Sequence, residues 1–178
     1  MRLRWTWVAV VCCVACLGAG ASALAASSST PKGGPIGLIV QPGDSQGAGK
    51  IIFTGAIGDY GTSSPTKTKD GHKYGVAALS KGTLHVDLTA ITKKVNSANP
   101  PFDSATCSAE ISETAPAGIS DGTGAYKGVS GSVNLTETFA IVVPRYTSGK
   151  HKGQCNASPS ATPAAQIGTV YGTGSVTF

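Results

Sequence analysis

Residues Val129–Val143 read VSGSVNLTETFAIVV. Val133, Leu135, Phe139 and Ile141 share one parity, and Ser132, Asn134, Thr136 and Thr138 take the other. Alternation at period two over this length marks a half-buried β-strand, because successive side chains point to opposite faces of a sheet. It is the longest strand expected in the chain, and one ionisable residue, Glu137, falls on its apolar parity.

The flanking sequence has the same character. Downstream, residues 144–165 form a polar, proline-containing excursion, and Ile167–Phe178 reads as a final strand broken by Gly172 and Gly174. Upstream, Thr106–Thr114 is strand-like, and Ile119 belongs to a further short strand before the Asp121-Gly122 turn. Thr83–Thr89 alternates, with Leu84, Val86 and Leu88 on one face and His85, Asp87 and Thr89 on the other. It is expected to pair with Tyr74–Leu79 across Ser80-Lys81-Gly82. Lys50–Ile57 and Ile36–Gln41 are rich in β-branched residues and read as two more strands. Residues 59–72, with Gly61, two serines, Pro65 and Asp70-Gly71, are expected to form a long loop ending in a turn. Ala90–Ser97 is the one plausible helix, stopped by Asn99-Pro100-Pro101.

Seven or eight short strands and one short helix predict an all-β domain, an antiparallel barrel or sandwich. The chain ends on strand, which favours closure into a barrel, since a free last strand is an edge prone to aggregation. A Rossmann or TIM arrangement needs many helices and is excluded.

The 178 residues carry a net charge of +5, with 24 glycines and only 13% charged residues. Arg2 and Arg4 precede an apolar run from Trp5 to Ala19, followed by Ala21-Ser22-Ala23 and Ala23-Leu24-Ala25. A positive start, a short apolar core and small residues before a polar tract predict a secretory signal peptide over residues 1–25. A flexible linker is expected at 26–35 and the barrel domain at 36–178. The expected location is secreted or in the cell envelope, with no membrane span once the leader is cleaved. Loss of Arg2 and Arg4 lowers the charge from +5 to +3, too weak a bias for nucleic acid, and no basic stripe with interleaved aromatics is present.

Three of the five cysteines also leave with the leader, so Cys107 and Cys155 remain. In an exported protein a lone pair most simply forms one disulfide; two free buried thiols are the alternative. His72, His85 and His151 with two cysteines are too few, and too irregularly spaced, for a zinc site, and no cofactor motif appears.

Candidate chemistry is sparse. Glu137 and Glu113 both share parity with apolar neighbours, and a carboxylate on a barrel's inner wall can act as a general base or anchor a ligand. The blander outcome, and the favoured one, is that a bulge near Gly131 shifts the register and turns Glu137 to solvent. His85 and Asp87 are binding candidates if their face is a polar interior, though a solvated outer face is the commoner arrangement. Tyr126, with Tyr60, Tyr146 and Tyr171, can ring a cavity mouth or simply pack. Gly118-Ile119-Ser120-Asp121-Gly122 matches G-x-S-x-G, with Glu137 and His151 downstream, but a nucleophile elbow needs a strand–turn–helix in a large sheet.

Gly122-Thr123-Gly124-Ala125-Tyr126-Lys127-Gly128, followed by Gly131, resembles the glycine-rich turn of allene oxide cyclase and dirigent barrels. The chain is also similar in strand rhythm to small exported proteins, mostly actinobacterial, that carry such a domain. The resemblance implies an eight-stranded barrel with a central cavity, often in an oligomer, and carries over no catalytic residue. From the residues themselves, Gly122 and Gly124 are expected at positive φ in a tight turn. Gly128 and Gly131 are expected at a bulge or close backbone approach. The expected partners are a small apolar ligand inside the barrel and further copies of the chain outside it. The leading function is therefore small-molecule binding or envelope interaction without catalysis. A cyclase- or isomerase-like enzyme using Glu137 is the alternative, and a structural homo-oligomer a third.

Overall fold

The computed structural model describes residues 32–43, 48–158 and 160–178. The expected leader, residues 1–25, lies outside the described residues. Eight antiparallel strands close into a barrel in simple up-and-down order. They are β1 (Gly34–Gln41), β2 (Gly49–Gly55), β3 (Asp59–Lys69), β4 (His72–Leu79), β5 (Gly82–Asp87), β6 (Ser108–Ser120), β7 (Ser130–Val142) and β8 (Ala165–Thr177). Closure comes from β8, which pairs with β7 on one side and β1 on the other. β1 starts at Gly34, so Gly34 and Pro35 of the expected linker already pair with Val176 and Ser175.

The helix α1 (Thr89–Ser97) follows β5 directly. Asp87 Oδ1 accepts the Thr89 amide at 2.8 Å, and Thr89 Oγ1 accepts the Lys73 amide at 2.9 Å, so side chains satisfy donors where strand turns to helix. β5 and β6 pair only at His85–Ser120 and Val86–Ile119. Beyond those pairs β6 parts from β5, and α1 packs against β6.

Two expectations are corrected. Residues 59–69 are strand β3, not loop. Gly61 belongs there because β3 and β4 approach so closely that a Cβ would collide with the Ala78 carbonyl. Pro65 is tolerated because the β3–β4 register shifts between Ser64 and Lys67, where no ladder hydrogen bond is required of it. Ile119 is not a separate strand but part of the 13-residue β6.

Inside, Ile36, Leu38, Phe53, Leu84, Ile119, Val133, Leu135 and Val176 build the core. Cys107 and Cys155 are joined in a disulfide, Cα–Cα 5.4 Å, which fastens the 144–164 excursion to the start of β6. The Val143 amide reinforces the junction by donating to the Cys107 carbonyl at 2.9 Å.

Candidate functional site

The barrel's two ends differ. At the base, where β1 begins and β8 ends, the segment between β6 and β7 folds under the strands. Tyr126 enters the core there, 1% exposed, 6.4 Å ring to ring from Phe178. Its hydroxyl donates to Asp59, the one buried polar residue among those described. Asp59 also accepts the Ser80 hydroxyl at 2.6 Å, the Tyr60 amide at 2.8 Å and the Lys81 amide at 3.1 Å. Burial pushes the Asp59 carboxyl up, but these four donors, led by Ser80 and Tyr126, outweigh it and hold it at about 2. Burial first, and then the Asp59 carboxylate, push the Tyr126 phenol above its ordinary range. Tyr126 is therefore a plug at the base and not a cavity-mouth residue.

The glycine-rich turn serves this plug. Gly124 and Gly128 take positive φ, +59° and +87°. Gly122 and Gly131 are needed for space, because a Cβ at Gly122 would strike the Tyr126 carbonyl and one at Gly131 the Ser175 carbonyl. Gly124 thus takes the positive φ expected of it and Gly131 the close approach, whereas Gly122 and Gly128 exchange the roles their spacing implied.

The opposite end is open inside. A cavity of about 510 Å³ lies between the barrel wall and α1, lined by Leu38, Val40, Ile51, Ala77, Val86, Leu135 and Val170 from the strands. The helix and its N-cap residue contribute Leu88, Ile91, Thr92, Val95 and Asn96. Those five follow the i, i+3, i+4, i+7, i+8 spacing of a single helical face. Ile91 is 2% exposed, so the face is turned into the molecule as a lid.

Glu137 lines this cavity. The β6–β7 and β7–β8 registers run without a break from Gly131 to Val142, so no bulge at Gly131 turns Glu137 outward. With no shift, Glu137 keeps the inward parity of Val133 and Leu135. Burial pushes its carboxyl up. Glu113 stands directly opposite Glu137 on β6, and Val170 directly opposite on β8. The two carboxylates singled out by parity are therefore cross-strand neighbours. Glu137 can take or give a proton, or hold a polar group of a bound molecule.

The other candidates lie elsewhere. His85 and Asp87 occupy the outer face of β5, where His85 Nδ1 is 3.3 Å from Asp121 and His72 Nδ1 is 3.2 Å from Asp87. Ser120, at the base, hydrogen-bonds to Asp121 at 3.2 Å. His151 sits in the 144–164 excursion beyond the mouth, bonded to Gln154 at 2.8 Å. Ser120, Glu137 and His151 thus form no triad. Among the described residues no three His, Cys, Asp or Glu side chains gather to hold a metal, and no helix is long and apolar enough to cross a membrane.

Residue-by-residue reading missed Asp59 and the lid. Asp59 sits in a stretch that looks like a loop and is 67 residues from Tyr126, so no local pattern joins them. The lid did have a signal, the five-residue helical spacing that begins at Leu88. Comparisons with protein-family models, with curated proteins and with solved structures each find no match, so the resemblance to the cyclase and dirigent barrels rests on the glycine-rich segment and the strand rhythm.

Proposed function

We propose that this is an exported binding protein that holds a small, largely apolar molecule between the barrel wall and α1. The observation that carries the reading is the cavity of about 510 Å³, aliphatic on most sides with one carboxylate in its wall. Ligand sites are commonly concavities of about 300–1,000 Å³, mostly apolar, with few polar groups. The leader-like N-terminus and the Cys107–Cys155 disulfide support export. The test is titration with Nile red, an uncharged apolar fluorophore. Wild type is expected to bind it saturably, and Val40→Trp, which fills the mouth, is expected to lose that binding. Equal binding by both proteins would overturn the assignment. Recovery of a chemically altered compound after incubation with a supplied ligand, lost in Glu137→Gln, would replace binding with catalysis.

A second reading, self-assembly, has its own observation. Tyr60, Ile52, Ile39 and Tyr171 are directly opposed in one row across β3, β2, β1 and β8. They are 70%, 55%, 63% and 53% exposed. Contiguous apolar exposure of this kind marks contact surfaces. The order Tyr–Ile–Ile–Tyr is the same from either end. A two-fold axis along the strands, midway between Ile39 and Ile52, therefore sets each isoleucine on the other isoleucine of a second copy. The nearest cation on these strands, Lys50, is paired with Gln41 and meets the second copy's neutral Gln41 under that axis. Sedimentation equilibrium should show a dimer that Ile39→Asp dissociates; a wild type that stays monomeric at high concentration removes this reading.

A further inference from the structure

We infer that the molecule held in the cavity is an apolar amine, its ammonium seated against Glu137 with Glu113 beside it. The inference rests on the reading of the cavity as a ligand site and adds the chemical class of the ligand.

Among the described residues, Glu137 is the only ionisable side chain in the cavity lining, so the charge they give the wall is negative. Its directly opposed neighbour on the same inner face is a second carboxylate, Glu113. Opposed residues on antiparallel strands have Cβ atoms about 5 Å apart, and like charges in that relation destabilise the sheet. The described residues supply no remedy. Among the described residues the ion pairs are His72–Asp87 and His85–Asp121, and neither glutamate has a cation within pairing distance. On the adjoining helix, Lys94 directs its ammonium to the Thr114 carbonyl at 2.7 Å, outside the cavity lining.

A single ammonium offers what the wall lacks. It has up to three donors for the Glu137 carboxylate, and its charge offsets that of the neighbouring Glu113. Its apolar body would rest on Leu38, Ile51, Val86 and Ile91. Thr92 and Asn96 of the lid add neutral hydrogen-bonding groups at the same cavity. A carboxylate-headed amphiphile of the same shape would meet only like charge. A divalent metal is a poorer fit, because the group holds two carboxylates and among the described residues no third ligand gathers with them. The upward push that burial gives the Glu137 carboxyl agrees with a group that has no counter-charge beside it among the described residues.

The test is calorimetric titration of the full folded domain with octylamine, octanol and octanoate at neutral pH, beside the Nile red titration. Octylamine is expected to bind about tenfold tighter than octanol, the yield of one charge-assisted contact, with octanoate weakest. Glu137→Gln is expected to bring octylamine down to the octanol value and leave octanol within about twofold. Octanol or octanoate binding as tightly as octylamine would overturn the amine assignment while the cavity reading stands. So would an amine preference that survives Glu137→Gln. Failure of all three octyl compounds and of Nile red would instead remove the cavity reading itself. The comparison of head groups on wild type decides the matter even if the variant folds poorly.

Discussion

Replacing Tyr126 by Phe removes one oxygen from the base of the barrel and leaves its packing intact. That oxygen donates to Asp59, a carboxylate only 5% exposed, which has three other donors: the Ser80 hydroxyl and the amides of Tyr60 and Lys81. A hydrogen bond to a charged group contributes about 1.5–3 kcal/mol, so Tyr126→Phe should cost about 2 kcal/mol at pH 7. The pH dependence carries a signature. Asp59 is held at about 2, below the ordinary 3.8. Its folded pKa is depressed, so its stabilisation is fully present above the ordinary value and is lost as pH falls through about 2. Without the Tyr126 hydroxyl the carboxylate loses part of that depression. The gap between wild type and variant should therefore shrink as pH drops from about 4 to about 2. Urea unfolding followed by circular dichroism across pH 2–7 measures this, with the m-value expected to be unchanged. A gap below about 0.5 kcal/mol, the size of an ordinary surface substitution, would refute the reasoning, as would a gap of about 2 kcal/mol that does not change with pH.

The disulfide closes a loop of 48 residues, and the chain-entropy model gives it about 4 kcal/mol; a Cys107→Ala/Cys155→Ala double variant should unfold at correspondingly lower urea, and a midpoint unchanged within error would show that the excursion is held by other contacts. Glu137 acts in the opposite sense to Asp59. Its folded pKa is raised, so its contribution to stability is present below the ordinary carboxylate range and is lost as pH rises through the raised value. Glu137→Leu should therefore gain on wild type as pH rises from 4 to 8 in thermal melts, and equal slopes for the two proteins would count against an inward, uncompensated carboxylate.

The strands were legible because a strand advertises itself locally. Alternation within Thr83–Thr89 and Val129–Val143 marks the buried face, and Asn99-Pro100-Pro101 stops the helix where it ends. β3 was not legible. Gly61 and Pro65 look like loop residues until β4 is beside them, when the glycine becomes a close approach and the proline falls at a register shift. His85 and Asp87 could be placed on one face from sequence, but that this face is the outside follows only from Leu84 and Val86 being buried.

By itself, then, the sequence determined which residues share a face. Parity depends on backbone geometry that repeats every two residues, and Glu137, Leu135 and Val133 had to lie together. The tertiary structure alone decided which way that face points and what meets it. Unbroken pairing across β6, β7 and β8 turns Glu137 inward and sets Glu113 opposite, and closure of β8 on β1 brings Gly34 beside Val176. The lid of α1 then keeps part of the interior hollow, while Tyr126 seals the other end on Asp59. These are contacts between residues tens of positions apart. No local periodicity carries them, because they exist only once the sheet has closed.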